Sequence, residues 1–107
     1  MRFTSYLQNG SLTVVLTGEI DHHCAKAYMD AIASKIEIYA PSECVLDFDQ
    51  VSFMDSSGIA VVINALRCMS RIGGDLLVSN LQQQPMRVFN ASGIDKLVKV
   101  RSQSCEI

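Results

Sequence analysis

The chain has 107 residues and a formal net charge of −2, and 49% of its residues are hydrophobic. This length suggests one domain with a single ordinary core. The charges form no basic run, tryptophan is absent and aromatic residues are few, which argues against a nucleic-acid partner. No apolar run approaches the ~18 residues of a membrane span, and no signal region opens the chain. We therefore expect a cytoplasmic protein without a membrane partner.

The four cysteines, Cys24, Cys44, Cys68 and Cys105, form no Cys-x-x-Cys pair and match no zinc-ligand spacing. Three of them lie inside apolar segments, where cysteine behaves as a small hydrophobic residue. We expect reduced thiols, as is usual in the cytoplasm. The sequence gives no indication of a metal site or of a cofactor.

The first half of the chain predicts a β-hairpin followed by a helix. Strand-like runs at 2–7 and 11–17 flank Asn9-Gly10, and both turn residues accept positive φ. Asp21 is a good N-cap candidate. After it, apolar residues recur at helical spacing and end before Pro41. These residues are Ala25, Tyr28, Met29, Ile32 and Ile36.

The second half alternates strands and helices. The run ECVLDFD at 43–49 predicts a strand buried on both faces. A helical stripe follows and stops at Gly73-Gly74; it consists of Ile59, Val62, Ile63, Leu66 and Met69. DLLVSN at 75–80 predicts another strand. A third helix opens at Gln84-Pro85 and stops at Ser92-Gly93, with a final strand or helix around 97–100.

This order of elements predicts an α/β fold. Strands joined through helices imply parallel pairing with right-handed crossovers, and the leading hairpin adds an antiparallel edge. We predict a single domain over residues 1–107 with a mixed sheet of four to five strands. Its order is an antiparallel N-terminal hairpin and then parallel strands.

The stretch FMDSSGIAVVINAL, residues 53–66, places Asp55, Ser56, Ser57 and Gly58 between two apolar runs. Aspartate and serine favour helix N-caps, because their oxygens accept hydrogen bonds from the free N–H groups of the first turn. One cap needs only one residue, so a surplus hydroxyl remains at the carboxyl edge of the predicted sheet, where such folds place their sites. Asp21 and Asn80 follow neighbouring strands and are expected at the same edge.

Three other readings of the junction fit less well. The hydrolase elbow Gly-x-Ser-x-Gly has Met54 or Asp55 in place of its first glycine, and the only histidines, His22 and His23, lie in an earlier loop. A phosphate-binding loop needs several glycines and a lysine. His22, His23 and Cys24 are adjacent at a helix start and point in different directions, so they are poorly placed to share a metal ion.

A regulatory phosphate on Ser56 is chemically reasonable. Phosphorylation adds nearly two negative charges, and the positive end of a helix tolerates them. A partner docking on an edge that already carries Asp21, Asp49 and Asp55 would be disturbed by them. The site could therefore be switched without unfolding the domain.

The segments GEIDHHCA (18–25) and LDFDQVSFMDSSGIAVVINA (46–65) resemble the bacterial anti-sigma factor antagonists of the STAS superfamily. RIGGDLLVSN (71–80) and VFNASGIDKLVKV (88–100) also fit, so the resemblance covers nearly the whole chain. The Asp-His-His after Gly-Glu-Ile is more similar to the sporulation antagonist than to the general-stress antagonist.

The resemblance implies a mixed sheet with helices mainly on one face and a protein that is not an enzyme. Its unphosphorylated form would bind an anti-sigma factor that is also a serine kinase, and so free the sigma factor. The kinase would phosphorylate Ser56 and a PP2C-type serine phosphatase would reset it. The resemblance implies no cofactor and no direct contact with nucleic acid, and we expect a monomer.

By motif, Ser56 is the phosphoacceptor that the resemblance implies. Gly58 would leave room for the kinase backbone. The implied partner contacts are Asp21, His22, Asp55, Ser56, Ser57 and Gly58. Two alternatives stay open at this point: a STAS scaffold or ligand-sensing module of a stressosome-like assembly, and a small hydrolase.

Overall fold

A computed structural model describes residues 2–101, and Cys105 lies outside them. In chain order the strands and helices are β1 (Arg2–Gln8), β2 (Ser11–Ile20), α1 (His22–Tyr39), β3 (Glu43–Met54), α2 (Ser56–Arg71), β4 (Asp75–Ser79), α3 (Gln83–Ser92), a 3₁₀ helix (Ile94–Lys96) and β5 (Lys99–Arg101). None of the helices among these residues is long and apolar enough to cross a membrane.

The predicted hairpin is confirmed. Asn9 and Gly10 have φ values of 54° and 81°, the positive-φ pair that matches the twist of the flanking strands. The antiparallel register of β1 on β2 runs without a shift from Arg2 opposite Thr17 to Gln8 opposite Ser11.

The five strands lie in the order β1-β2-β3-β4-β5, and every pair after the hairpin is parallel. In each parallel pair a helix connects the two neighbouring strands. Right-handed crossovers that all step in the same direction along the sheet place all three helices on one face. The mixed sheet and one-sided helix layer predicted above are confirmed. Leu12, Val14 and Leu16 of β2 alternate as buried residues beneath the helices.

The helices begin and end close to the predicted positions. α1 buries Ala25, Tyr28, Ile32 and Ile36, four of its five stripe residues. α3 begins at Gln83, one residue earlier than predicted.

α2 buries a broader stripe than predicted, because it contacts both α1 and α3. Val61 and Ala65 are buried in addition to Ile59, Val62 and Met69. The predicted stripe residues Ile63 and Leu66 are only partly buried.

The predicted end of β3 at residue 49 is wrong, because the strand continues to Met54. Its register against β2 shifts twice, between Val15 and Thr17 and between Gly18 and Glu19, and β3 carries one extra residue at each shift. Such bulges rotate the strand, so its buried residues Phe48, Val51 and Met54 are spaced three apart. This spacing hides the alternation that would identify a strand.

Candidate functional site

The loops after β2 and β3 lie side by side at the carboxyl edge of the sheet. Ile20, the last residue of β2, is in register with Met54, the last residue of β3. The N–H of Asp55 donates to the carbonyl of Ile20 at 3.2 Å. This bond brings the start of α1 next to the start of α2, and it places Asp21 and Asp55 on neighbouring chain segments.

Each of these two aspartates caps a helix. The Asp21 carboxylate accepts a hydrogen bond from the N–H of His23 at 3.0 Å, and Asp55 accepts one from the N–H of Ser57 at 2.8 Å. The predicted cap of α1 is confirmed. In the Asp-Ser-Ser-Gly motif the aspartate supplies the cap, so neither hydroxyl is needed for that purpose.

Asp21 is held in its ionised form by the start of its own helix. Desolvation pulls the pKa of the carboxyl upward, but hydrogen bonds from the N–H groups of His23 and Cys24 outweigh it and lower the pKa. A carboxylate that accepts N–H bonds at a helix N-terminus is stabilised in its charged form. Asp21 therefore presents a negative charge beside the second helix start.

Ser56 is the first residue of α2 and is exposed. Among residues 2–101 no hydrogen bond holds its hydroxyl, and Ser57, the next residue, is partly buried. The Ser56 hydroxyl therefore stands free at the positive end of a 16-residue helix.

Gly58, the last residue of the Asp-Ser-Ser-Gly motif, packs inside the domain. It is buried, and a β-carbon built on it would lie 2.5 Å from Sδ of Met54 and 3.0 Å from its Cβ. Gly58 is thus packed against the Met54 side chain, and its implied place at the docking surface stays a prediction. Its missing side chain makes room for packing within the domain.

The two histidines lie at the start of α1. His22 and His23 are exposed, and their ring centroids are 4.0 Å apart. Among the described residues no group of three or more histidine, cysteine, aspartate or glutamate side chains is placed to hold a metal ion.

The two capping aspartates, Asp21 and Asp55, take part in no ion pair among the side chains of residues 3–101. The one ion pair among these side chains joins Lys26 to Asp30 on α1. Asp49 is exposed in the bulged part of β3, further from the helix starts. Negative charge added at Ser56 would therefore meet an edge that is already negative.

An apolar cleft of about 510 Å³ opens beside Ser56, between α2 and α3. Its lining residues are Ser56, Ile59, Ala60, Ile63, Val88, Ala91 and Ser92. The phosphoacceptor candidate thus lies at one end of a surface to which α3 contributes.

The family model described as STAS domain matches residues 3–106. The chain belongs to the STAS domain family. Over 91 residues this STAS domain is 29% identical to the anti-sigma F factor antagonist of Paenibacillus polymyxa, covering 85% of this chain and 78% of that one.

Two solved structures of the anti-sigma factor antagonist SpoIIAA are also similar. The unphosphorylated form matches with a TM-score of 0.80 at 25% identity, covering 95% of this chain and 90% of that one. The phosphorylated form of the Bacillus cell fate determinant SpoIIAA matches with a TM-score of 0.71 at 25% identity, covering 95% and 93%.

Sequence reasoning missed the hydrogen bonds by which three amide side chains hold β3. β4 pairs with β3 only as far as Ser79 opposite Asp47. Beyond that point β3 has no strand of residues 2–101 beside it on this side. Instead, the side chain of every second residue after β4 forms hydrogen bonds to β3. Asn80 donates to the Asp47 carboxylate at 3.0 Å and Gln82 donates to the Asp49 carbonyl at 2.7 Å.

Gln84 completes this series, and we call Asn80, Gln82 and Gln84 the amide ladder. Gln84 accepts from the Met54 N–H at 2.9 Å and donates to the Met54 carbonyl at 3.0 Å. The expectation that Asn80 shares the edge with Ser56 needs correction, because Asn80 contacts Asp47, well before the end of β3. One sequence signal could have revealed this series: an amide side chain at every second position, 80, 82 and 84, of Asn-Leu-Gln-Gln-Gln.

Proposed function

We propose that this STAS domain is an anti-sigma factor antagonist controlled by phosphorylation of Ser56. The unphosphorylated form binds an anti-sigma factor that is also a serine kinase, and so releases the sigma factor. Phosphorylation ends that binding, and a PP2C-type serine phosphatase restores it. The reactions take place in the cytoplasm. The observation that carries this proposal is the exposed Ser56 hydroxyl at the N-terminus of α2, left free because Asp55 caps the helix.

The position of Ser56 suits a switch that acts on docking and leaves the fold alone. A phosphate brings nearly two negative charges, and the free N–H groups and positive end of α2 accommodate them. Ser56 is exposed, so the added group displaces no core residue. Its charge acts instead on a partner that approaches the edge.

The proposed contact surface consists of the two adjacent helix starts. Asp21 and His22 come from the start of α1, and Asp55, Ser56 and Ser57 come from the start of α2. The hydrogen bond from Asp55 to Ile20 holds the two together. Gly58 is buried and supports this surface indirectly, because its missing side chain leaves room for Met54. The negative edge favours a partner that offers basic side chains.

The relatives support this proposal. The Paenibacillus polymyxa relative is an antagonist of anti-sigma F factor. SpoIIAA has been solved in both an unphosphorylated and a phosphorylated form, and each matches this chain at 25% identity.

The experiment is a phosphorylation assay with the purified protein, ATP and each serine-kinase anti-sigma factor from the organism that encodes this chain. Intact-mass spectrometry should show the addition of one phosphate with one of these kinases, and fragmentation should locate it on Ser56. Ser57→Ala is the matched control and should still accept a phosphate, whereas Ser56→Ala should not. A phosphate on Ser57, or none with any of the kinases, would contradict the proposal.

A further inference from the structure

We propose that Gln84 is a positioning residue for Ser56, and that it acts through Met54 to hold the first turn of α2 in place. This role rests on the proposed function of Ser56 as phosphoacceptor. It adds a residue of α3 to the switch, far from Ser56 in the sequence.

The last residues of β3 lack a strand on one side. β3 pairs with β2 as far as Met54, whereas its pairing with β4 ends at Asp47. Backbone polar groups away from water need hydrogen-bond partners. Within the amide ladder, Gln82 and Gln84 supply them to Asp49 and Met54, whereas Asn80 bonds the Asp47 side chain.

Gln84 replaces a strand at the very end of β3. Its amide carries an acceptor and a donor in one plane, and both reach the backbone of Met54, at 2.9 Å and 3.0 Å. Two bonds from one planar group restrain both the position and the orientation of the residue they hold. Asn80 and Gln82 each make one bond to β3, so neither restrains it to the same degree.

Met54 transmits this restraint to α2 in two ways. Along the chain it directly precedes Asp55, the residue that caps the helix through the N–H of Ser57. Through space its fully buried side chain packs against Gly58, in the same helical turn as Ser56. Since Ser56 lies between these two contacts, a shift of Met54 moves the hydroxyl.

Phosphoryl transfer is sensitive to such a shift, because the attacking oxygen must lie in line with the transferred group and small misplacements are costly. Loss of the Gln84 bonds should therefore slow the phosphorylation of Ser56 in a kinase that still binds the domain. It should also loosen the Asp55 cap in the isolated domain, which can be measured without a kinase.

The experiment compares Gln84→Ala and Gln84→Glu with Gln83→Ala, using the full chain. Gln83 is exposed and immediately precedes Gln84 in α3, so it is a matched control. The first measurement is amide hydrogen exchange by NMR at Met54 and Ser57. Gln84→Ala should speed exchange at both amides by about five- to tenfold, whereas Gln83→Ala should leave both unchanged.

Gln84→Glu keeps the size of the side chain and tests the mechanism even if the alanine variant folds poorly. Its ionised carboxylate retains the acceptor for the Met54 N–H but has no donor for the Met54 carbonyl. When the carboxyl is protonated, its O–H can donate again, so protection at Met54 and Ser57 should return as the pH is lowered.

The second measurement is the kinetics of Ser56 phosphorylation by the kinase identified in the assay above. Gln84→Ala should lower kcat by more than it raises KM, and Gln83→Ala should change neither. Faster exchange at Met54 with unchanged exchange at Ser57 and unchanged kcat would overturn the positioning role. If wild type accepts no phosphate while Ser57 exchange still depends on Gln84, the phosphorylation proposal fails and the restraint on the helix start stands.

Discussion

The side chain of Met54 occupies the space that a β-carbon on Gly58 would need. The sulfur atom of Met54 lies 2.5 Å from that position, and the methionine side chain is fully buried. The last residue of β3 and the third residue of α2 are therefore fitted to each other. Ser56 lies between them in the sequence.

Gly58→Ala should destabilise the domain, although alanine is the better helix former by about 1 kcal/mol. The new methyl group would force Met54 to move, and overpacking of this kind typically costs about 1–3 kcal/mol. Urea denaturation should show a lower midpoint. Ser70→Ala, an exposed position near the other end of α2, should leave the midpoint unchanged or raise it. A Gly58→Ala variant as stable as wild type would contradict the packing argument.

Ser56→Ala should still bind the kinase anti-sigma factor, whereas Ser56→Asp should bind at least about tenfold more weakly. A carboxylate carries part of the charge of a phosphate and stands on the same negative edge. Isothermal titration calorimetry with the partner measures both affinities. Ser70→Asp adds the same charge at the far end of α2 and should bind like wild type. Equal affinities of Ser56→Ala and Ser56→Asp would refute the switch.

Asp55→Ala should lower the free energy of unfolding by about 1 kcal/mol, the usual cost of losing a helix N-cap. Asp55→Asn retains an oxygen that can accept from the Ser57 N–H and should stay close to wild type. Urea denaturation of the three proteins tests this difference. If asparagine proves as costly as alanine, the charge of Asp55 matters more than its hydrogen bond.

Asp21 should contribute to stability at neutral pH and lose that contribution in acid. Its pKa in the folded protein is lowered from the ordinary value of 3.8, because N–H groups of the first helical turn bind the carboxylate. A lowered pKa in the folded state means that the stabilisation is present above the ordinary value and disappears as the pH falls through the lower one. Carbon-detected NMR titration of the Asp21 carboxyl should give a midpoint below 3.8.

The Cys44 thiol should resist modification in the native protein. Burial, with smaller effects of Cys68 and Glu43, raises its pKa to about 12, and thiolates are the reactive form. At neutral pH a thiol reagent should modify the partly exposed Cys24 and Cys68 before Cys44. Unfolding should be favoured as the pH rises from 9.0 toward 12, because the unfolded chain ionises this thiol first. Cys44→Ala should weaken that alkaline destabilisation.

Features that depend on neighbours in the sequence were predictable. Asn9-Gly10 determines its own turn because both residues tolerate positive φ. Asp21 caps α1 through the N–H two residues ahead, and Gly93 ends α3 with φ 80°. The order of strands and helices then left a parallel sheet with right-handed crossovers as the simplest topology. The Asp-Ser-Ser-Gly stretch marked the helix start at Ser56 for the same local reason.

Features that depend on distant residues were decided by the tertiary structure. β3 continues past Asp49 because β2 offers it partners through two bulges, and the periodicity of β3 alone conceals this. Gly58 is required by Met54, across a strand-to-helix junction, and Gln84 holds Met54 from 30 residues away. The sequence by itself determined that α2 begins within Asp-Ser-Ser-Gly, near the Ser56 hydroxyl. Only the packed fold decided what holds that hydroxyl in place, because long-range hydrogen bonds and steric fit exist only once the strands and helices have come together.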